Sequence, residues 1–298
     1  MKRTLALFPL ALFSAMATLP ALPAMAGTGY AIQSDGNQKL YRIDLATGVA
    51  APVSGSSTGF DGIEGLAFLP GCTALYGVDD VKDRLVTCDR TSGKCETVGS
   101  LGVDVTDTGL TFANDGSLYM STDAPKDPLK IYKLDPATGN AAWLGNQETE
   151  VTGLAANTLA VYGLGGDGKD DLVVLDLVSG KATSIGPLTS VTLQDGGLDF
   201  DKDGTLYGIN DVGPGGGKAS ELFKIDLETG KATVVARIKD DRGKPLFGFE
   251  GLAIDDGMCA VRGFGSAVAV DVPVADTLGM IVLGLGLATA ALLVLRRG

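Results

Sequence analysis

LYRIDLATG at residues 40–48 recurs as LVTCDRTSG (85–93), IYKLDPATG (131–139), LVVLDLVSG (172–180) and LFKIDLETG (222–230). Between these segments runs a second repeated stretch that opens on Gly-Leu. Its copies are GLAFLPGCTALYG (65–77), GLTFANDGSLYM (109–120), GLAANTLAVYG (153–163), GLDFDKDGTLYG (197–208) and GLAIDDGMCAVRG (251–263). The leading glycines Gly65, Gly109, Gly153 and Gly197 are spaced by 44 residues, and Gly251 follows 54 later. A strand-rich unit of this length, repeated, specifies the blades of a β-propeller, in which each unit buries its apolar faces only by stacking on its neighbours.

Each unit divides into four short strands. Strand a is Gly-Leu-x-Phe, b is Leu-Tyr-Gly, c is Leu-Tyr-x-Ile-Asp, and d is the Ala-x-x-Val after Thr-Gly. Apolar residues at spacing two, as in Leu66/Phe68, Leu110/Phe112 and Leu198/Phe200, mark half-buried strands. Asp-Gly at 115–116, 203–204 and 256–257 marks the a–b turns. In the c–d turns the repeated Asp44, Asp89, Asp135, Asp176 and Asp226 read as structural acceptors of turn amides. The expectation is an all-β propeller of four-stranded blades. Five c–d–a–b units are complete, with a lone b strand (29–33) at the start and a, b and a further c strand (267–271) at the end. Pairing of the terminal strands gives five blades; a blade of their own gives six. Closure through both ends removes exposed sheet edges.

The two ends of the chain carry export features. Lys2 and Arg3, an apolar run over 5–17 and Ala24-Met25-Ala26 form a signal peptide over residues 1–26. The propeller then occupies 27–271. Residues 279–295 are an uninterrupted apolar run closed by Arg296 and Arg297, which predicts a transmembrane helix with a cytoplasmic C-terminus. The net charge of the whole chain is −12; loss of residues 1–26 removes two bases and no acid, leaving −14. So acidic a surface argues against nucleic-acid partners and for cations or basic partners.

No histidine is present, which excludes Ser-His-Asp triads, His-ligated zinc and His general bases. Four cysteines sit in the exported part. Cys88 takes the place held by Ile43, Leu134, Leu175 and Ile225, and Cys95 that of Ala50, Ala141, Ala182 and Ala232. The recurrent large–small pair marks cross-strand neighbours on one buried face, so Cys88 and Cys95 are expected to form a disulfide. Cys72 and Cys259 precede the same strand in the first and last Gly-Leu units, and their pairing would clasp the ring.

Antiparallel topology places the a–b and c–d turns on one face and the b–c and d–a loops on the other. The second set carries the length variation and many of the acids, among them Asp79, Asp80, Asp123, Asp170, Asp211 and Asp240. Variable loops on a rigid scaffold are where binding usually resides. Glu64 and Glu250 precede Gly-Leu-Ala at equivalent positions at the channel mouth, where the other units have Thr108, Thr152 and Gly196. They read either as rim residues or, with the hydroxyls, as hard-oxygen ligands for calcium. Asp199, Asp201 and Asp203 match the start of a calcium loop, yet they fall where every unit places its a–b turn, and the twelfth position is Asn210. The GPGGG run at 213–217 lacks the ending of a phosphate cradle. Trp143, on an outer strand, is a single candidate platform for a sugar.

Three resemblances extend this reading. The Leu-Tyr-x-Ile-Asp-x-x-Thr-Gly units over residues 28–271 resemble the repeats of quinoprotein- and lactonase-like propeller superfamilies. The Glu-Gly-Leu-Ala segments look like strand starts in calcium-dependent propeller hydrolases such as lactonases and esterase-like phytases. That resemblance implies a calcium-ligating role for Glu64 and Glu250. Residues 272–298 resemble the PEP-CTERM and IPTL-CTERM sorting signals of Gram-negative bacteria, with Val274-Ala275 where the Glu-Pro would stand. The implication is removal of the tail by an exosortase-type protease and attachment at the cell surface or matrix. The function expected is a non-catalytic, surface-anchored propeller that recognises an extracellular ligand, glycan or protein. The alternative is a calcium-dependent hydrolase with its site at the channel mouth.

Overall fold

A computed structural model of the chain describes residues 27–255, apart from 35–36, 125–126, 166–168 and 213–217. The chain opens with β1 (Thr28–Gln33), β2 (Leu40–Asp44) and β3 (Ala50–Pro52). Four complete blades follow. The first is β4 (Ile63–Phe68), β5 (Leu75–Asp79), β6 (Arg84–Cys88) and β7 (Cys95–Ser100); the second is β8 (Gly109–Phe112), β9 (Leu118–Ala124), β10 (Asp127–Leu134) and β11 (Ala141–Asn146). The third is β12 (Gly153–Ala156), β13 (Val161–Leu164), β14 (Asp171–Leu175) and β15 (Ala182–Pro187); the fourth is β16 (Asp195–Phe200), β17 (Leu206–Asp211), β18 (Glu221–Ile225) and β19 (Ala232–Arg237). The last described strand, β20 (Phe249–Asp255), pairs antiparallel with β1 and becomes strand a of the fifth blade. The ring therefore has five blades and closes through both ends of the chain. The signal peptide, Cys259, the strands expected beyond residue 255, the sorting segment and the apolar run 279–295 lie outside the described residues. No helix among the described residues is long and apolar enough to cross a membrane.

The repeated glycine has a tertiary cause. The five innermost strands lie side by side around the axis, and each leading glycine meets the backbone of the next one. A Cβ on Gly109 would stand 2.9 Å from the carbonyl carbon of Gly153, one on Gly153 2.9 Å from the Gly196 oxygen, and one on Gly197 2.2 Å from the Leu252 nitrogen. Three residues further on, the aromatic of strand a packs edge-on against the strand-b tyrosine of the preceding blade. The pairs are Tyr30–Phe68, Tyr76–Phe112 and Tyr162–Phe200, with ring centroids 5.6, 5.2 and 5.6 Å apart. Such pairs add about 0.5–1.5 kcal/mol each beyond their burial. At the rim, the first amide of each d strand donates to the loop of the preceding blade: Ala50 to Lys239, Cys95 to Thr58, Ala141 to Leu101, Ala182 to Gln147 and Ala232 to Leu188.

Register confirms the large–small pairs on the c–d face: Ile43 faces Ala50, Leu134 Ala141, Leu175 Ala182 and Ile225 Ala232. Cys88 faces Cys95 in the same register, and the two are disulfide-bonded. Their separation of seven residues closes a short loop, so the loop-entropy contribution is about 2.5 kcal/mol. The double substitution Cys88→Ile/Cys95→Ala restores the pair used by the other blades. Urea denaturation should show a loss no larger than that, with the fold retained. Cys72 is also disulfide-bonded.

The c–d turns use aspartate as the sequence predicts. Asp89 accepts from Thr91 and Ser92, Asp135 from Ala137, Asp176 from Val178 and Asp226 from Glu228 and Thr229. Hydrogen bonds from the backbone amide of Ser92 hold the Asp89 carboxyl below its ordinary range; the Ser179 hydroxyl and the Thr229 hydroxyl do so first for Asp176 and Asp226.

One core position breaks the repeat. Gln147 follows strand d where the first, third and fourth blades place Leu101, Leu188 and Ile238. It is fully buried, and neither atom of its side-chain amide has a hydrogen-bond partner among the described residues. A buried polar group left unpaired costs about 1–3 kcal/mol. Gln147→Leu should therefore raise the free energy of unfolding by a similar amount in chemical denaturation.

Candidate functional site

Glu64 and Glu250 are placed by a local irregularity. In the β4–β5 pair the register shifts between Glu64 and Leu66, leaving Gly65 unpaired, and the β1–β20 pair shifts between Tyr30 and Ile32 opposite Glu250 to Ala253. Gly65 and Gly251 have φ of 44° and 63°, which only glycine adopts freely. Strand pairing is regular at Gly109, Gly153 and Gly197. A β-bulge bends its strand and re-aims side chains. Here the two bulges occur in the two blades whose residue before glycine is glutamate.

Both glutamates line one narrow recess at the mouth of the channel, together with Thr108, Thr152, Asp195 and Gly196. Each blade thus supplies one oxygen-bearing side chain. In the fourth blade the aligned position is Gly196, and Asp195, one residue earlier, takes its place. Thr108 and Thr152 are each only 2% exposed, and their hydroxyls have no hydrogen-bond partner among the described residues. Glu250 is 7% exposed and accepts a hydrogen bond from the Ser34 hydroxyl. Glu64 Oε2 accepts from the Thr108 amide at 2.8 Å, which ties it to the next blade.

Burial pushes the Glu64 carboxyl well above its ordinary range, and Glu250 and then Asp80 push it further; the Thr108 amide opposes them. Asp80 is raised to about 6, first by burial and then by Asp79 and Asp107. Asp79 is 1% exposed and bonded to Arg84 at 2.5 Å. Asp107, Asp123 and Glu150 hold carboxylate oxygens within 4.8 Å of one another. Acids are therefore concentrated on the face of the b–c and d–a loops; Glu250 lies at the axis, and the still more buried Asp79 and Asp211 end β5 and β17.

The donor set at the mouth is three carboxylates and two threonine hydroxyls, all hard oxygens of the kind that bind Ca2+. Two of these oxygens are buried and unpartnered, and no basic side chain lines the recess. The donor chemistry suits a hard cation, and Glu64, Glu250, Asp195, Thr108 and Thr152 would hold it; the three acids that bring their oxygens within 4.8 Å of one another among the described residues are Asp107, Asp123 and Glu150. An ion at the mouth would neutralise clustered charge and polarise an oxygen of a bound molecule.

The Asp199–Asp203 segment folds as the a–b turn. Asp199 Oδ2 accepts from the Ile254 amide at 2.7 Å, stitching the fourth blade to the fifth, and Asp201 Oδ1 caps the turn through Asp203 and Thr205. Asp203 pairs with Lys202 at 2.5 Å. These three acids sit on the face opposite Glu64 and Glu250. Trp143 is 60% exposed on the outermost strand, and its indole N–H donates to Gly145. Residues 213–217 lie outside the described residues. Sequence alignment missed Asp195 because it is one position out of register; the glycine at 196 was the available signal.

The fold and the mouth together define a five-bladed β-propeller with a carboxylate-lined channel entrance. No protein-family model matches the chain, and no curated protein does. Among solved structures it is similar to a chain of the nidogen/laminin complex, with 15% identity, coverage of 78% of this chain and 86% of that one, and a TM-score of 0.48. It is also similar to a gluconolactonase from Xanthomonas campestris, with 15% identity, coverage of 76% and 80%, and a TM-score of 0.46.

Proposed function

We propose that this protein is an exported recognition propeller that holds a calcium ion at its channel mouth and presents the surrounding acidic loops to an extracellular glycan or protein. In this reading residues 1–26 direct export, and the segment 272–298, with its helix 279–295, anchors the domain until an exosortase-type protease processes it. The observation that carries the cation is the pair of buried, unpartnered hydroxyls of Thr108 and Thr152 beside Glu64 and Glu250. Calorimetric titration of calcium into the mature chain tests the site. About one ion per chain is expected, with binding lost in Glu64→Gln/Glu250→Gln; no binding, or binding that survives the double substitution, removes the mouth as the site.

A second reading, a calcium-dependent hydrolase, is favoured by the raised carboxyls of Glu64 and Asp80, since perturbed acids cluster at catalytic sites. Calcium-dependent turnover of a lactone or phosphoester that vanishes in the double variant would place this reading first.

A further inference from the structure

The channel is divided. Between its two ends the leading glycines and the leucines that follow them (Leu66, Leu110, Leu154, Leu198 and Leu252) converge at a waist. Below the waist, on the face of the a–b turns, lies a second chamber of about 510 Å³. Its lining includes Leu66, Leu110, Leu198, Phe112, Phe200 and Ala156. No residue of the acidic mouth contributes to it.

Two blades depart from the pattern at the level of the chamber, with Ala156 in the third and Ile254 in the fifth. In the first, second and fourth blades the third residue after the leading glycine is Phe68, Phe112 or Phe200, and each fills the seam against a tyrosine of the preceding blade. In the third blade it is Ala156, which lines the chamber. Tyr119, on the blade before, makes no ring pair among the described residues. Tyr119 is instead buried with Ile131, Leu154 and Val161, and Ala156 packs against that cluster; the chamber lies at the axis, reached by the inner strands of all five blades. Asn114, Asn157 and Thr158 edge the chamber, and Asn157 is fixed there by accepting the amides of Leu159 and Ala160.

We propose that this lower chamber is a binding site, separate from the mouth, for a small neutral molecule with an apolar body and a hydrogen-bonding tip. Its volume falls within the roughly 300–1,000 Å³ of small-molecule sites, and its lining sets the leucines and phenylalanines of the waist against Asn114, Asn157, Thr158 and the Asp199–Asp203 turn at its edge. Charge at the edge is already engaged. Asp199 is held by the Ile254 amide, Asp201 by its own turn, and Lys202 by Asp203. A charged ligand would have to compete with these partners and would lose its hydration on entering.

The test titrates the neutral fluorophore N-phenyl-1-naphthylamine into the mature chain. Saturable binding at one site per chain is expected. Ala156→Phe, which installs the ring used by three other blades, should weaken binding at least about tenfold, the equivalent of 1.4 kcal/mol. Ala156→Leu serves as a second, smaller filling variant, and circular dichroism confirms that each variant is folded. Glu64→Gln/Glu250→Gln should leave probe affinity unchanged. Absence of saturable binding overturns the proposal, as does affinity untouched by both filling variants. Loss of binding in the glutamate variant would equally overturn it, because the two chambers would then be one site.

Discussion

Gly197→Ala is expected to cost on the order of 4 kcal/mol or more, enough to remove the cooperative unfolding transition of a marginal domain. The added carbon would lie 2.2 Å from the Leu252 nitrogen, 2.3 Å from the Gly251 carbonyl carbon and 2.7 Å from the Gly251 Cα. All three obstacles are backbone, so no side chain can rotate away. The strand that would have to move is β20, which closes the ring on β1. Overpacking a core with a side chain costs about 1–3 kcal/mol when neighbours can adjust; here the adjustment is the closure itself. Gly204→Ala supplies the comparison. Gly204 has φ of 81° and open space around its would-be Cβ, so only the left-handed backbone is penalised, at about 1–2 kcal/mol. Urea denaturation of both variants decides the matter. Similar losses would mean that conformation, not the close approach of adjacent strands, explains the repeated glycine.

Glu64→Gln is expected to act in opposite directions with and without calcium. In chelator at neutral pH it should stabilise the protein by about 1–3 kcal/mol, the scale of a buried charged group imperfectly compensated. The reason is linkage. Glu64 and Asp80 have raised carboxyls in the folded protein, so the folded state holds their protons more tightly than the unfolded state. Their contribution to stability is full below the unfolded carboxyl range and is lost as pH rises, for Asp80 between about 4 and about 6. The turn aspartates Asp89, Asp135, Asp176 and Asp226 have lowered carboxyls and act oppositely, losing their contribution as pH falls below the ordinary carboxyl range. Without calcium, stability should therefore peak on the acid side of neutrality. With calcium at a hundred times its Kd, the wild type gains about 2.7 kcal/mol and the decline toward neutral pH flattens. Glu64→Gln should lose that gain. Thermal unfolding across pH 4–8, with and without calcium, reads both effects; a variant that is less stable in chelator would show that Glu64 is a structural hydrogen-bond acceptor first.

Much of the fold was legible because its signals are local. The Asp-x-x-Thr/Ser-Gly turn, the alternation in Leu-x-Phe and the large–small pair at Cys88 and Cys95 are each set within one hairpin. A hairpin's register follows from its turn and its own alternation. The even spacing of Gly65, Gly109, Gly153 and Gly197 then announced the ring. At the mouth, Glu64, Glu250, Thr108 and Thr152 could be named from alignment alone, since equivalent positions in a closed ring share one radius.

What stayed hidden depends on contacts between blades. Asp195 lines the mouth one position ahead of the aligned residue, Gly196, where a Cβ would stand 2.5 Å from the Ile209 oxygen. The bulges at Gly65 and Gly251 have no marker beyond a glycine found in every unit. Gln147 looks like an ordinary loop residue until Leu101, Leu188 and Ile238 appear at the matching places. Ala156 reads as one more small strand residue until the seam against Tyr119 is seen to lack a ring. By itself the sequence determined a propeller of four-stranded blades, their strands and turns, the Cys88–Cys95 bond and the two glutamates at one rim, all of which rest on short-range periodicity; the choice of five blades over six needed the pairing of β1 with β20. Only the tertiary structure decided that the channel has two chambers, because the waist between them is made where five distant strands meet backbone to backbone.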